Sequence, residues 1–326
     1  MAGLPLARDL LTYDVVVVSK QAERRFQAVW RDYYKWRTEN LSRNPEEYLA
    51  DLYENQRSWP PFSWAVELVA AVLATPRGYD AGSINPRYGI RITRPSQCGV
   101  YTAFWETISD TFDEIAVVTT NYDLLVERGL RHKPMKRVFG PGCYYGGLDR
   151  PQILKGTALP FTVKNPQRFV ELTGKVPVYK LHGSLNWSRS SDGLELYQDV
   201  GMQLYQDMRP AFRHGGDAAI VPPIPEKKTP DWLKPVWEEA ELRLSRTNCW
   251  VVCGYSLPDY DIAVQEMLKR ASGSKLEKMF ILDPYSEDLR DRYTQVALGV
   301  EIYCLAGLPD GIRGLRSAAI SGLEHV

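Results

Sequence analysis

The chain has 326 residues, of which 44% are hydrophobic and 25% charged, a composition typical of a soluble globular protein. Its 40 Lys and Arg residues balance its 40 Asp and Glu residues, so no net charge draws it to nucleic acid or an anionic membrane. The sequence contains no membrane-length apolar run and no signal-peptide pattern, and its five scattered cysteines form no CxxC pair. These features disfavour a disulfide framework and a zinc site, and they predict a metal-free cytoplasmic protein.

The N-terminal part predicts helices before any strand of a main sheet. Aromatic and apolar residues follow a helical spacing between Ala22 and Leu52. Further helices are predicted over 62–73 and 100–111, on either side of a loop rich in Pro and Gly. Residues 20–112 are therefore predicted to form a helical module.

From residue 113 onward, short apolar runs alternate with helical patterns. The predicted strands cover 115–119, 176–181, 249–253, 279–282 and 300–305, and the predicted helices cover 124–130, 234–245, 262–271 and 286–297. Nearly all-apolar strands that alternate with helices indicate a parallel sheet covered on both faces. The predicted fold class is therefore α/β and Rossmann-like, over residues 113–326. Loop-rich excursions are predicted at about 133–176 and 189–235.

Polar residues follow three of these strands at the point where each strand ends. Asn121 and Asp123 follow the first, His182 the second, and Gly254 and Ser256 the third. In an open parallel sheet the carboxyl ends of the strands form the edge at which ligands bind. The pattern therefore predicts a nucleotide site at this edge.

Some of these residues also have an ordinary structural interpretation. A helix has a single N-cap residue. If Asp123 caps the next helix, the Asn121 amide is available to bind a ribose hydroxyl or a carboxamide. His182 is either a core histidine or a site residue, and its position at the sheet edge favours the site. Gly183, directly after it, would let the backbone approach a ligand closely.

The acidic residues that follow the third and fourth strands also have structural interpretations. Asp283 ends the fourth strand, where it would accept a hydrogen bond from a ribose hydroxyl or form a strand-to-helix turn. Asp259 and Asp261 are expected to cap the helix that follows them. Cys249 and Cys253 are interpreted as core residues of one strand.

Several common motifs are missing from the sequence. It contains no GxxxxGK[ST] phosphate loop, no HExxH zinc motif, no GxSxG nucleophile turn and no GxGxxG dinucleotide fingerprint. No separated carboxylate pair stands out either, as an O-glycosidase would need. These absences disfavour a dehydrogenase and an ordinary glycosidase.

Three segments together resemble the sirtuin-like superfamily, and within it the bacterial antiphage branch of NAD-consuming proteins. They are Thr119-Thr120-Asn121-Tyr122-Asp123, Leu181-His182-Gly183-Ser184-Leu185-Asn186-Trp187 and Cys253-Gly254-Tyr255-Ser256-Leu257-Pro258-Asp259-Tyr260-Asp261. The resemblance runs from about 114 to 305. It implies that NAD is the substrate and His182 the catalytic imidazole. It also implies that Asn121 and Asp123 hold the nicotinamide ribose and carboxamide, and that Gly254 and Ser256 contact ribose or phosphate.

The chain departs from the superfamily pattern in three places. Thr120 stands where many sirtuins have Gln, and we expect it, like Asp283, to line the NAD site. The four-cysteine zinc module of the deacylases is absent. The strand and Gly-Ala-Gly-x-Ser loop that open the superfamily are also not found, so residues 1–19 are interpreted as the remnant of a first βα unit. Either a true start lies upstream of Met1, or the chain is a variant that has lost phosphate binding.

The resemblance implies an NAD⁺ hydrolase that releases nicotinamide and ADP-ribose, acting in antiphage defence by NAD depletion. It further implies a homo-oligomer and a partner defence protein that senses phage nucleic acid or phage protein. The missing phosphate loop favours an alternative, a catalytically silent nucleotide-binding or assembly module. A protein deacylase or ADP-ribosyltransferase is a weaker alternative.

Overall fold

A computed structural model gives the structure of the chain. It describes residues 11, 20–41, 43, 45–55, 62, 64–66, 68–69, 99–130, 142–155, 170–190, 193–197, 217–221, 229–259, 261–273 and 275–322. The predicted remnant at 1–19 lies outside these residues, apart from Leu11.

The helices occur in two groups along the chain. Before the first described strand lie α1 (Lys20–Glu39), α2 (Pro45–Asn55) and α3 (Gly99–Thr111), and residues 62, 64–66 and 68–69 are also helical. The later helices are α4 (Leu125–Leu130), α5 (Lys234–Leu244), α6 (Ile262–Ala271), α7 (Ser286–Val296) and α8 (Leu308–Gly322). None of the helices that the structure describes is long and apolar enough to cross a membrane.

Two parallel sheets of three strands carry the predicted nucleotide edge. One contains β1 (Val117–Thr119), β5 (Val176–Lys180) and β2 (Cys143–Tyr145), with β5 in the centre. The other contains β9 (Cys249–Cys253), β10 (Lys278–Leu282) and β11 (Glu301–Leu305), with β10 in the centre. Parallel strands joined by helical crossovers give the predicted Rossmann-like α/β fold.

A third, mostly antiparallel sheet of five strands contains the strand that begins directly after His182. Its order is β4 (Val170–Glu171), β3 (Ile153–Lys155), β7 (Gly193–Tyr197), β6 (Gly183–Ser190) and β8 (Asp217–Ile220). The segments predicted as loop-rich excursions therefore contribute strands, and β2, within the first of them, belongs to a parallel sheet.

The largest hydrophobic cluster joins both parallel sheets and the helices around them. Val178 of β5 and Phe280 of β10 belong to it, together with Trp105 of α3. Helix α3 packs against α8, and α5 packs against α6. The predicted helical module at 20–112 thus includes a helix that lies in the α/β core, and its boundary stays a prediction.

A second hydrophobic cluster joins α1 and α2 to the segments that follow β1 and β5. Phe26 of α1 and Leu49 of α2 pack with Tyr122, Leu124 and Leu185, which follow β1 and β5. All five side chains are buried. The N-terminal helices therefore contact the segments that carry the candidate site residues.

Candidate functional site

Backbone hydrogen bonds hold the segments after β1 and β5 side by side. The Leu181 amide donates to the Thr119 carbonyl (3.0 Å), and the Leu185 amide donates to the Tyr122 carbonyl (3.0 Å). Asn121 lies between these two links and is exposed, whereas His182 is buried. The structure therefore brings the first two motifs together at one edge, with the amide toward solvent.

His182 is surrounded by residues from three different elements. Its Nε2 lies 3.9 Å from Oδ1 of Asp261, which precedes α6. The Tyr122 ring lies 6.3 Å from the imidazole, and the Trp237 ring of α5 lies 6.2 Å from it, measured between centroids. The Trp237 indole also donates to the Leu181 carbonyl (2.7 Å). His182 is thus the point at which all three sequence motifs meet.

The Asp261 carboxylate is buried and hydrogen-bonded. It stands at the N-cap position of α6, as expected, but Oδ2 accepts a hydrogen bond from the Tyr255 hydroxyl, and Oδ1 faces His182. Burial raises the pKa of this carboxyl, and the hydrogen bond from Tyr255 opposes that rise.

The loop between β9 and α6 is held from several sides. The Tyr293 hydroxyl donates to the Tyr255 carbonyl (2.7 Å), and the Gln265 side chain donates to the Pro258 carbonyl (2.8 Å). Leu257 in this loop is buried and has a φ of 51°, which non-glycine residues rarely adopt. Strained backbone of this kind persists where surrounding contacts fix it, and it concentrates at functional sites.

Asp123 has the helix-capping role that the sequence left open. Its Oδ1 accepts a hydrogen bond from the Leu125 amide (2.8 Å) at the start of α4. Its carbonyl accepts a hydrogen bond from Nζ of Lys180, and that ammonium lies 3.3 Å from Glu127 Oε1. Lys180 and Glu127 are almost completely buried, so this ion pair fixes the backbone beneath the edge.

The two glycines of the motifs have different surroundings. Gly183 has a φ of +79°, and a Cβ there would lie 1.9 Å from the Ala219 carbonyl oxygen. The close approach expected for Gly183 is therefore to strand β8 and not to a ligand. Gly254 has a φ of +63°, and no atom of the described residues lies within 4 Å of a Cβ built there. Gly254 thus leaves room for a ligand at the end of β9.

The remaining predicted site residues lie at the ends of their strands. Thr120 is partly buried directly after β1, and Ser256 is exposed after β9. Asp283 accepts a hydrogen bond from the Tyr285 amide (2.8 Å), the turn arrangement that the sequence left as an alternative. Cys253 is exposed, so the expectation that it lies in the core is wrong.

Four residues of this site were not assigned to it from the sequence: Asp261, Tyr255, Tyr122 and Trp237. The sequence indicates only a helix cap for Asp261, and Tyr122 and Tyr255 lie within the motifs without a predicted role. Trp237 lies on a helix with no motif, so no local signal identifies it. Among the described residues, no group of three or more His, Cys, Asp or Glu side chains is arranged to hold a metal ion.

The comparison with known families identifies one domain. The family model described as a SIR2-like domain matches residues 115–303, which is more than half of the chain. This match covers all three motifs and both parallel sheets except the last two residues of β11. No curated protein matches the sequence.

Proposed function

The chain belongs to the SIR2-like family, and we propose that it cleaves the nicotinamide–ribose bond of NAD⁺ to release nicotinamide and ADP-ribose. One observation carries the proposal: the buried His182 lies where the three motifs converge, with a carboxylate 3.9 Å from its Nε2. The open space at Gly254 supports it, because a substrate needs room at the same edge.

Cleavage of the nicotinamide–ribose bond needs no general acid from the protein. Nicotinamide leaves NAD⁺ as a neutral ring, so the site must instead stabilise an oxocarbenium-like ribose and restrict water. Preorganised dipoles in a cleft achieve this. Asn121 would orient the attacking water and the ribose hydroxyls, and Asp123 would hold the carboxamide with the oxygen not used by Leu125. Neutral His182 would accept the proton that the water loses.

The direct experiment is to incubate the purified protein with NAD⁺ and measure free nicotinamide. We expect His182→Ala or Asn121→Ala to lower turnover by roughly 10²- to 10⁴-fold, the range for one general base or one positioned dipole. Glu266→Ala, on the exposed face of α6, serves as the control and should turn over NAD⁺ at the wild-type rate. A His182→Ala protein that releases nicotinamide normally would refute the assignment.

Assays on the same purified protein distinguish NAD⁺ hydrolysis from two alternative functions. NAD⁺ binding without nicotinamide release would favour a silent nucleotide-binding module. Nicotinamide release that depends on an acylated peptide or a protein acceptor would favour a deacylase or an ADP-ribosyltransferase.

The biological setting follows from the enzymatic proposal. We propose a cytoplasmic homo-oligomer that depletes NAD⁺ during phage infection, together with a partner that senses phage nucleic acid or protein. Infection of cells that express the wild type or His182→Ala, with NAD⁺ measured over time, tests this. NAD⁺ that stays constant in infected wild-type cells would contradict it.

A further inference from the structure

We infer that Asp261 is the positioning residue for His182: its carboxylate lies beside the imidazole and stabilises the ring when it is protonated. The inference rests on the proposed function, in which His182 accepts a proton. It assigns to Asp261 a part beyond the helix cap that its position suggests.

Both carboxylate oxygens of Asp261 have a defined neighbour. The carboxylate is buried, with one oxygen facing Nε2 of His182 at 3.9 Å and the other bonded to the Tyr255 hydroxyl. At that distance the two side chains interact by charge rather than by a direct hydrogen bond. The carboxylate therefore stabilises the ring mainly in its protonated form.

The two rings that lie beside the imidazole among the described residues carry no charge at neutral pH. Tyr122 from the β1–α4 loop and Trp237 from α5 flank the ring, and Asp261 with Tyr255 approaches from the start of α6. Of the groups with a described contact to His182, only Asp261 is anionic. Removal of this carboxylate should therefore weaken the stabilisation of the protonated ring.

The surroundings hold Asp261 in place before any substrate binds. Its amide donates to the Pro258 carbonyl (3.0 Å), and its carbonyl accepts from the Gln265 amide (3.1 Å). Tyr255 is fixed in turn by the Tyr293 hydroxyl. The Asp261 carboxylate is buried at an energetic cost, in a loop with strained backbone. This combination is typical of a preorganised functional group.

The experiment compares Asp261→Asn with Asp259→Asn, an exposed aspartate of the same loop that lies 3.7 Å from Arg292. For Asp261→Asn we expect kcat to fall by about 10- to 10³-fold, part of what a general base supplies, with little change in KM. Asp261→Glu keeps the charge and should retain more activity than Asp261→Asn. Tyr255→Phe should lose less than Asp261→Asn, and Asp259→Asn should match the wild type.

Nitrogen-15 NMR of labelled histidine supplies a readout that needs no turnover. The His182 ring, assigned with His182→Ala, should titrate at a lower pH in Asp261→Asn than in the wild type. An unchanged titration, or wild-type kcat in Asp261→Asn, would overturn the inference. So would a loss of folding stability that accounts for the loss of turnover, because Asp261 would then be a structural link. If the wild type releases no nicotinamide, the proposed function fails, and the NMR titration alone decides the pairing.

Discussion

Lys180 Nζ lies 3.3 Å from Glu127 Oε1, and both side chains are at most 2% exposed. Within the described residues neither Glu127 oxygen has a hydrogen bond, so the contact is one between charges. Removing one partner of a buried pair leaves an uncompensated charge. We expect Lys180→Met to reduce the free energy of unfolding by about 3–5 kcal/mol.

Urea unfolding measures this loss, and an exposed pair provides the comparison. Lys269 and Glu266 on α6 are 2.9 Å apart and nearly half exposed, so Lys269→Met should cost about 1 kcal/mol or less. The double variant Lys180→Met/Glu127→Leu should recover much of the loss, since it removes both charges. Equal costs for Lys180→Met and Lys269→Met would show that the buried pair has no special role.

A substitution at Gly183 tests the close approach of the backbone beside His182 to strand β8. Alanine there would combine a positive φ with a Cβ 1.9 Å from the Ala219 oxygen, so the backbones must move apart. Gly299→Ala is the matched control, because Gly299 has a φ of +77° and no described atom within 4 Å of a Cβ. We expect Gly299→Ala to cost about 1–2 kcal/mol and Gly183→Ala about 1–3 kcal/mol more, measured by thermal or urea unfolding. Similar costs would mean that the contact with β8 is not limiting.

Gly254 tests whether the open space at the end of β9 receives NAD⁺. Gly254→Val would fill that space, and we expect the KM for NAD⁺ to rise about tenfold or more, a loss of ~1.4 kcal/mol in binding. Gly299 also has a positive φ and open surroundings, but it precedes β11 at the opposite edge of the sheet. Gly299→Val should therefore carry the same strain and leave KM unchanged. A rise in both variants would indicate backbone strain rather than a filled site.

The free energy of unfolding should depend on pH because the buried Asp261 carboxyl ionises. Because its carboxyl has a raised pKa in the fold, the folded protein holds that proton more tightly than the unfolded chain. The contribution to stability is therefore lost as pH rises from the ordinary carboxyl pKa of about 3.9 through the raised value. We expect Asp261→Asn to be more stable than the wild type at pH 8, with the difference shrinking toward pH 4, by urea unfolding. The opposite sign at pH 8 would contradict a burial cost.

Local patterns predicted the elements of the α/β core closely. The bounds of β9 and α6 coincide with the prediction, because each has a strong apolar pattern and a clear start or stop. The strands β2 and β6 were not predicted, since Pro- and Gly-rich or polar surroundings hide segments whose pairing is non-local. The partners of His182 were missed for the same reason. Asp261 lies 79 positions away in the chain, and only the folded edge brings it to the imidazole.

The packing of α1 and α2 against Tyr122, Leu124 and Leu185 has a practical consequence for expression. A fragment that begins at residue 113 would turn those three side chains toward water, at a cost of roughly 1.5–3 kcal/mol for each one fully uncovered. Such a truncated protein would be prone to aggregate, and the loops that carry the candidate site residues would lose the helices against which they pack. Recombinant work on this protein should therefore keep the leading helices.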